Sequence, residues 1–169
     1  MAKKILVAYG SRDGATAGIA ERIGDVLKKT GFMVDVASAE KAGEPGGYDA
    51  VVLGSALYIG QWRKEAANYV TKHEQALAKL PVWIFSSGPT GAEEVDKQME
   101  GFTYPEKLKP VIARIQPRAS RIFKGAIYFK NLNFMEKFML KQMKAAEGDF
   151  RDWKAIEAWV TEIARELEK

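Results

Sequence analysis

The feature that most restricts this chain is a set of short apolar runs that do not alternate. Lys4 to Tyr9 (KILVAY), Tyr48 to Gly54 (YDAVVLG) and Val82 to Ser86 (VWIFS) are nearly continuous in apolar residues. A strand with one wet face alternates apolar and polar side chains, so a continuous run signals burial on both faces, the situation of a parallel sheet covered by helices. The intervening segments carry the helical period. Gly14 to Lys29 places Ile19, Ile23, Val26 and Leu27 on one face and Glu21, Arg22 and Lys28 on the other, and Gly31 follows as a stop. Met33 to Ala37 reads as a second, more alternating strand, and Glu44 to Gly47 as a turn. Ser55 to Gln61 is expected to be a loop, Trp62 to Ala78 a helix, Ser87 to Tyr104 irregular, and Pro105 to Ile115 helical. A fifth strand is expected over Arg121 to Phe129. A helix is expected over Asn133 to Lys144, opened by Asn133 and Glu136 at capping-box spacing, and a last helix from Asp152 to Leu167.

Strands alternating with helices predict an α/β fold: a doubly wound five-stranded parallel sheet with helices on both faces, one domain over residues 1–169. Ligands of such sheets bind beyond the carboxyl ends of the strands. Function is therefore sought in the loops after the first, third and fourth strands.

Composition removes several chemistries. With no cysteine there is no disulfide, thiolate metal site or cysteine nucleophile. The one histidine, His73, lies in the charged context Thr71-Lys72-His73-Glu74 and reads as a solvated helix residue, so neither a histidine triad nor a multi-histidine metal site is expected. A net charge of +4 is too small to argue for nucleic acid and mildly favours anionic partners. Met1 to Lys4 runs directly into an apolar stretch too short for a signal segment or a membrane span, which reads as cytoplasmic. Oligomeric state is not legible.

The first loop reads Gly10-Ser11-Arg12-Asp13-Gly14-Ala15-Thr16. It leaves a buried strand and opens a helix, where unpaired N–H groups and the positive dipole end suit a phosphate. Ser11 and Thr16 add hydroxyls and Gly14 permits close backbone approach; an ordinary turn with Asp13 as N-cap is the competing reading. A Walker loop is disfavoured because no lysine ends the segment, and a dinucleotide fingerprint because only Gly10 and Gly14 occur. The third-strand loop, Ser55-Ala56-Leu57-Tyr58-Ile59-Gly60, offers small residues beside a flat ligand, with Tyr58 and Trp62 as stacking candidates. The fourth-strand loop, Ser86-Ser87-Gly88-Pro89-Thr90, offers hydroxyls and backbone donors in one turn.

These loops resemble those of flavodoxins, whose phosphate loop has the form Ser/Thr-x-Thr-Gly-x-Thr; Ser11, Gly14 and Thr16 match it, and Asp13 replaces the central Thr. The chain is more closely similar to the flavodoxin-like menaquinone-dependent protoporphyrinogen oxidases. Ser11-Arg12-Asp13-Gly14-Ala15-Thr16 fits their loop at every fixed position, and the likeness continues at Gly54 to Gly60, Gly125 to Tyr128, Phe138 to Lys141 and Asp152-Trp153. It lapses over Ser86 to Gln116, where Glu93, Glu94 and Asp96 introduce acid. The resemblance implies a flavodoxin-like fold, FMN as cofactor on the three loops, and an oxidoreductase whose electron partners are of the quinone or porphyrinogen kind. FMN carries the redox chemistry, so no side chain is assigned as catalytic and no metal is expected. The alternatives are a soluble flavodoxin-type electron carrier and a cofactor-free interaction module on the same fold. A signalling receiver domain is rejected because Gly10-Ser11 and Gly54-Ser55 stand where its acidic residues would be.

Phe134, Met135, Phe138, Met139 and Met143 mark an apolar face flanked by Lys130, Lys137, Lys141 and Lys144. The sequence favours a helix packed on the sheet with its lysines in water, since Met and Phe stripes are ordinary core material. Peripheral contact with an anionic membrane is the other reading.

Overall fold

The structure is a computed structural model that describes residues 1–99 and 104–169. Its elements in chain order are β1 (Lys4–Gly10), α1 (Ala15–Lys29), β2 (Met33–Ser38), β3 (Ala50–Tyr58), β4 (Gln61–Trp62), α2 (Lys64–Lys72), α3 (Glu74–Leu77), β5 (Val82–Ser87), α4 (Val95–Gln98), α5 (Lys109–Ile115), β6 (Ala119–Phe123), β7 (Ala126–Ile127), α6 (Phe134–Gln142), β8 (Gly148–Asp149) and α7 (Trp153–Glu168). Five parallel strands run in the order β2-β1-β3-β5-β6. The strand order reverses between β1 and β3, so the loops after these strands flank a crevice at the carboxyl end of the sheet.

The apolar runs are continuous because each strand feeds two cores. Ile5 and Val7 of β1, Ala50 and Val52 of β3, and Trp83 and Phe85 of β5 face α1 and α7, meeting Ile19, Ile23, Ile156 and Val160. Their neighbours Leu6, Ala8, Val51, Leu53, Val82 and Ile84 face the other way, onto Tyr69 and Val70 of α2, Leu77 of α3, and Ile112 and Ile115 of α5. At about 1.5–3 kcal/mol for each large side chain fully buried, these two layers supply most of the drive to fold.

The structure departs from the sequence expectations in several places. Ser55 to Gln61 is not a loop: β3 continues to Tyr58 and turns back as β4, pairing Leu57 with Trp62 and Tyr58 with Gln61. Gly54 looked like a strand end, but it is a contact point. A Cβ there would lie 2.0 Å from Cζ of Phe85 on the neighbouring strand. The two-residue turn is Ile59-Gly60, with φ of 52° and 72°, the positive pair that a type I′ hairpin needs. The expected helix from Trp62 to Ala78 is broken at His73 into α2 and α3.

His73 is not solvated. It is 8% exposed, its ring lies 4.4 Å from that of Tyr69, and Nδ1 is 3.1 Å from Oε2 of Glu44. Its charged sequence neighbours point elsewhere on the helix, which a local reading cannot see. The fifth strand is shorter than expected: β6 ends at Phe123, and Ala126–Ile127 pairs instead with Gly148–Asp149 in a separate two-stranded antiparallel sheet. The irregular segment expected over Ser87 to Tyr104 contains α4, and residues 100–103 lie outside the described residues.

The last departure is α6. Its capping box forms as expected, with Asn133 Oδ1 accepting from the Glu136 N–H and Glu136 returning to the Asn133 N–H. However, the helix does not pack on the sheet through its Met and Phe face. Only Leu140 is buried, while Phe134, Met135 and Phe138 are 83%, 71% and 58% exposed.

The Gly54–Phe85 contact gives a direct test of the packing. Gly54→Ala should destabilise the protein by about 1–3 kcal/mol through overpacking. The loss should shrink when Phe85→Leu is present in the same chain, as a denaturant double-mutant cycle would show.

Candidate cofactor-binding site

At the carboxyl ends of β1, β3 and β5 the chain encloses a cavity of about 530 Å³, within the range of small-molecule sites. Its floor is built on buried hydroxyls. Thr16 Oγ1 and Ser87 Oγ are 2.7 Å apart and both residues are buried. This bond ties the first turn of α1 to the end of β5. Ser86 Oγ accepts from Trp62 Nε1 at 3.0 Å, and Ser55 Oγ accepts from the Arg63 N–H at 2.9 Å. Ser55 and Ser86 therefore sit beneath the cavity and hold its walls without lining it. Trp62, a stacking candidate in the sequence, is core, set edge-on to Tyr104 at 5.9 Å.

The first loop forms one end of the cavity, lined by Ser11, Arg12, Asp13, Ala15 and Thr16. Gly14, not Asp13, is the N-cap of α1. Its φ of 90° favours glycine, and among the described residues no side chain caps the helix. The Gly14 N–H donates to Ser11 Oγ at 3.2 Å, and no acidic residue occupies the first turn. The N–H groups that open α1 thus meet the cavity without an internal acceptor, an arrangement suited to an anion.

The second wall is Ala56, Leu57, Tyr58, Ile59 and Gly60, and the third is Ser87, Gly88, Pro89 and Thr90. The Tyr58 hydroxyl is buried and finds no hydrogen-bond partner among the described residues. Desolvation pushes its pKa above the ordinary tyrosine value; nearby Glu136 adds to the rise and Arg12 opposes it. Ile59 is β-branched and held at positive φ, local strain in the wall of the cavity.

Sequence reasoning missed the side that closes over the crevice. Gly125, Ala126 and Ile127 follow β6, and Leu132, Leu140, Met143 and Lys144 come from the α6 excursion. Arg63 and Glu93 add one charge of each sign. Gly125 to Ile127 had a signal, their place just beyond a strand end; Met143 and Lys144 had none. Arg12 joins the two sides by an ion pair with Glu136 at the start of α6. That bond, ahead of the Asn133 backbone bond, holds the Glu136 carboxyl below the usual glutamate range. Among the described residues no cluster of His, Cys, Asp or Glu could hold a metal ion, and no helix is long and apolar enough to cross a membrane.

A parallel sheet with an uncapped helix start and an apolar cleft at its switch point is the arrangement of a flavodoxin domain. The family model of that description matches residues 6–154, and the chain belongs to this family. Family membership implies a flavin cofactor. The protoporphyrinogen IX dehydrogenase [quinone] of Escherichia coli (strain K12) is 26% identical over 177 residues, covering 98% of this chain and 97% of that protein. Among solved structures, a flavodoxin from the domain Archaea superposes with a TM-score of 0.60 at 15% identity, covering 98% of this chain and 99% of that one. The rubredoxin oxygen:oxidoreductase of Desulfovibrio gigas gives 0.62 at 12% identity over 98% of this chain, which spans 36% of that protein.

Tyr58→Phe should stabilise the cofactor-free protein by about 1 kcal/mol, the cost of an unpaired buried hydroxyl. Urea denaturation of the apoprotein measures this, and a loss of stability would place a hidden partner on the hydroxyl.

Proposed function

We propose that this chain is an FMN-dependent oxidoreductase that passes electrons from a reduced organic donor to a quinone, with residues 1–169 acting as one unit. The observation that carries this reading is the meeting, in one cavity, of the uncapped α1 N-terminus with an apolar wall bearing Tyr58. The family match and the likeness to a quinone-dependent protoporphyrinogen IX dehydrogenase support it.

The residues divide the binding task. Ser11, Thr16 and the N–H groups of the first turn receive the terminal phosphate, with Arg12 close by as a cation. One helix start serves one phosphate group, which favours FMN over a dinucleotide. Tyr58, Leu57 and Pro89 offer a flat apolar surface to the ring, and the α6 side limits water around it. When bound, FMN would supply hydride and one-electron chemistry, by which two electrons and two protons pass from the donor to the quinone to give the quinol. The protein positions and tunes the flavin and supplies no nucleophile.

A soluble electron carrier is the alternative on this fold. Such carriers usually present acidic docking surfaces, and the +4 charge weighs against that role. Porphyrinogen as donor rests on the resemblance, against the acid at Glu93 in the cavity wall.

Two experiments test the reading. The purified protein should carry FMN, seen in its visible spectrum and in the supernatant after denaturation. Absence of flavin together with no uptake of added FMN would overturn the proposal. Thr16→Ala and Ser11→Ala should each weaken FMN by about 1–2 kcal/mol, the scale of a hydrogen bond to a charged group. Unchanged affinity by fluorescence titration in both variants would place the phosphate elsewhere.

A further inference from the structure

The Glu136 carboxylate makes two bonds at once. Oε2 accepts from the Asn133 N–H at 3.0 Å and closes the capping box of α6. Oε1 takes Nη1 of Arg12, a residue of the first loop 124 positions earlier in the chain. The helix has little else to hold it. Leu140 is its one buried residue, and among the described residues the bond to Arg12 is the only side-chain hydrogen bond from α6 to the body of the protein.

Arg12 is only partly used by this contact. A guanidinium presents five N–H donors in a rigid fork. Among the described residues Nη1 alone is hydrogen-bonded; Nε lies 3.8 Å from Oδ1 of Asp13, too far for a hydrogen bond. Arg12 also lines the cavity, beside Ser11 and Thr16. It is therefore anchored and still has donors to spare at the anion-suited end of the site. Beyond its own desolvation, the Tyr58 hydroxyl feels both charges, so the pair stands where the first loop, the β3–β4 hairpin and α6 meet.

An anchored cation and an unanchored one bind a phosphate differently. An unanchored arginine gives up its rotamers when the ligand arrives; one held by a carboxylate has given them up in advance. The opposing effect is repulsion between Glu136 and the phosphate. It is reduced here because Arg12 takes up one carboxylate oxygen and the N–H at the start of α6 takes up the other. Orientation outweighs repulsion.

We propose that Glu136 is a positioning residue for the cofactor phosphate: it holds Arg12 so that the remaining donors of the guanidinium receive a phosphate bound at the start of α1. The phosphate and α6 then stabilise one another through a single side chain. By reciprocity a phosphorylated flavin tightens α6 more than an unphosphorylated one does. The inference rests on the FMN reading above and deepens it, since the excursion as well as the loop then selects the phosphate monoester.

The test compares FMN with riboflavin, which has the same ring and ribityl chain without the phosphate, by fluorescence titration of the apoprotein. Arg12→Met should weaken FMN at least about tenfold, the scale of a hydrogen bond between charged groups, and leave riboflavin unchanged. Glu136→Gln keeps an acceptor for the capping box, so α6 should persist by circular dichroism. It should weaken FMN about two- to tenfold, the range for fixing one long side chain, again sparing riboflavin. In the Arg12→Met background it should have no further effect. Hydrogen exchange over α6 should slow more with FMN than with riboflavin in the parent, and equally with both in Arg12→Met. Equal losses for the two flavins in Glu136→Gln would make Glu136 a support of the cavity wall, and tighter FMN binding would make it a competitor of the phosphate. Either result overturns the proposal, as does an undiminished effect of Glu136→Gln without Arg12. FMN binding that neither variant alters overturns this inference alone, whereas a chain that binds neither flavin overturns the FMN reading and this inference with it.

Discussion

Burial of β1, β3 and β5 on both faces is the constraint from which the rest follows. A strand that feeds two cores must have helices on both sides, so the crossovers after β1 and β3 go to opposite faces. The sheet order then reverses between those strands, and the crevice opens there. The start of α1 meets this crevice because that helix must leave β1 at the carboxyl end and turn back along the sheet. The anion-suited end of the cavity is thus a by-product of core burial, made usable by a glycine cap with no competing side chain.

The transition from core to site is made by hydroxyls. Along β3 and β5 the apolar residues give way to Ser55, Ser86 and Ser87, all buried. Each is spent on structure: Ser87 with Thr16, Ser86 with the Trp62 indole, Ser55 with the Arg63 N–H. Buried polar groups carry a large penalty unless paired, so these bonds fix the strand ends and α1 relative to one another. Among the described residues the Tyr58 hydroxyl finds no such bond, and it sits in the cavity wall. The unsatisfied group and the strained turn at Ile59 fall together where a ligand would meet the protein.

The excursion between β6 and α7 shapes the open end of the sheet. It turns the end of the sheet into an enclosed cavity and carries an apolar helix outward. The Arg12–Glu136 ion pair joins that helix to the first loop, so the phosphate end and the covering side are mechanically connected. Ion pairs of exposed groups contribute little to stability; the pair matters here for registering two loops across the crevice.

Much of this was determined by local sequence alone. Continuous apolar runs, helical periodicity and Gly31 placed the main strands and helices, because core burial imposes a period that neighbours along the chain must share. The first loop was legible for the same reason, being a strand end and a helix start only a few residues apart. Only the tertiary structure decided matters that depend on what lies across space. Gly54 reads as a break until the Phe85 ring is seen against it, and His73 reads as solvated until Tyr69 and Glu44 close over it. The Phe and Met face of α6 has the composition of core, yet no partner in the described residues covers most of it. Whether an apolar face is buried depends on where the rest of the chain goes, and periodicity carries no information about that.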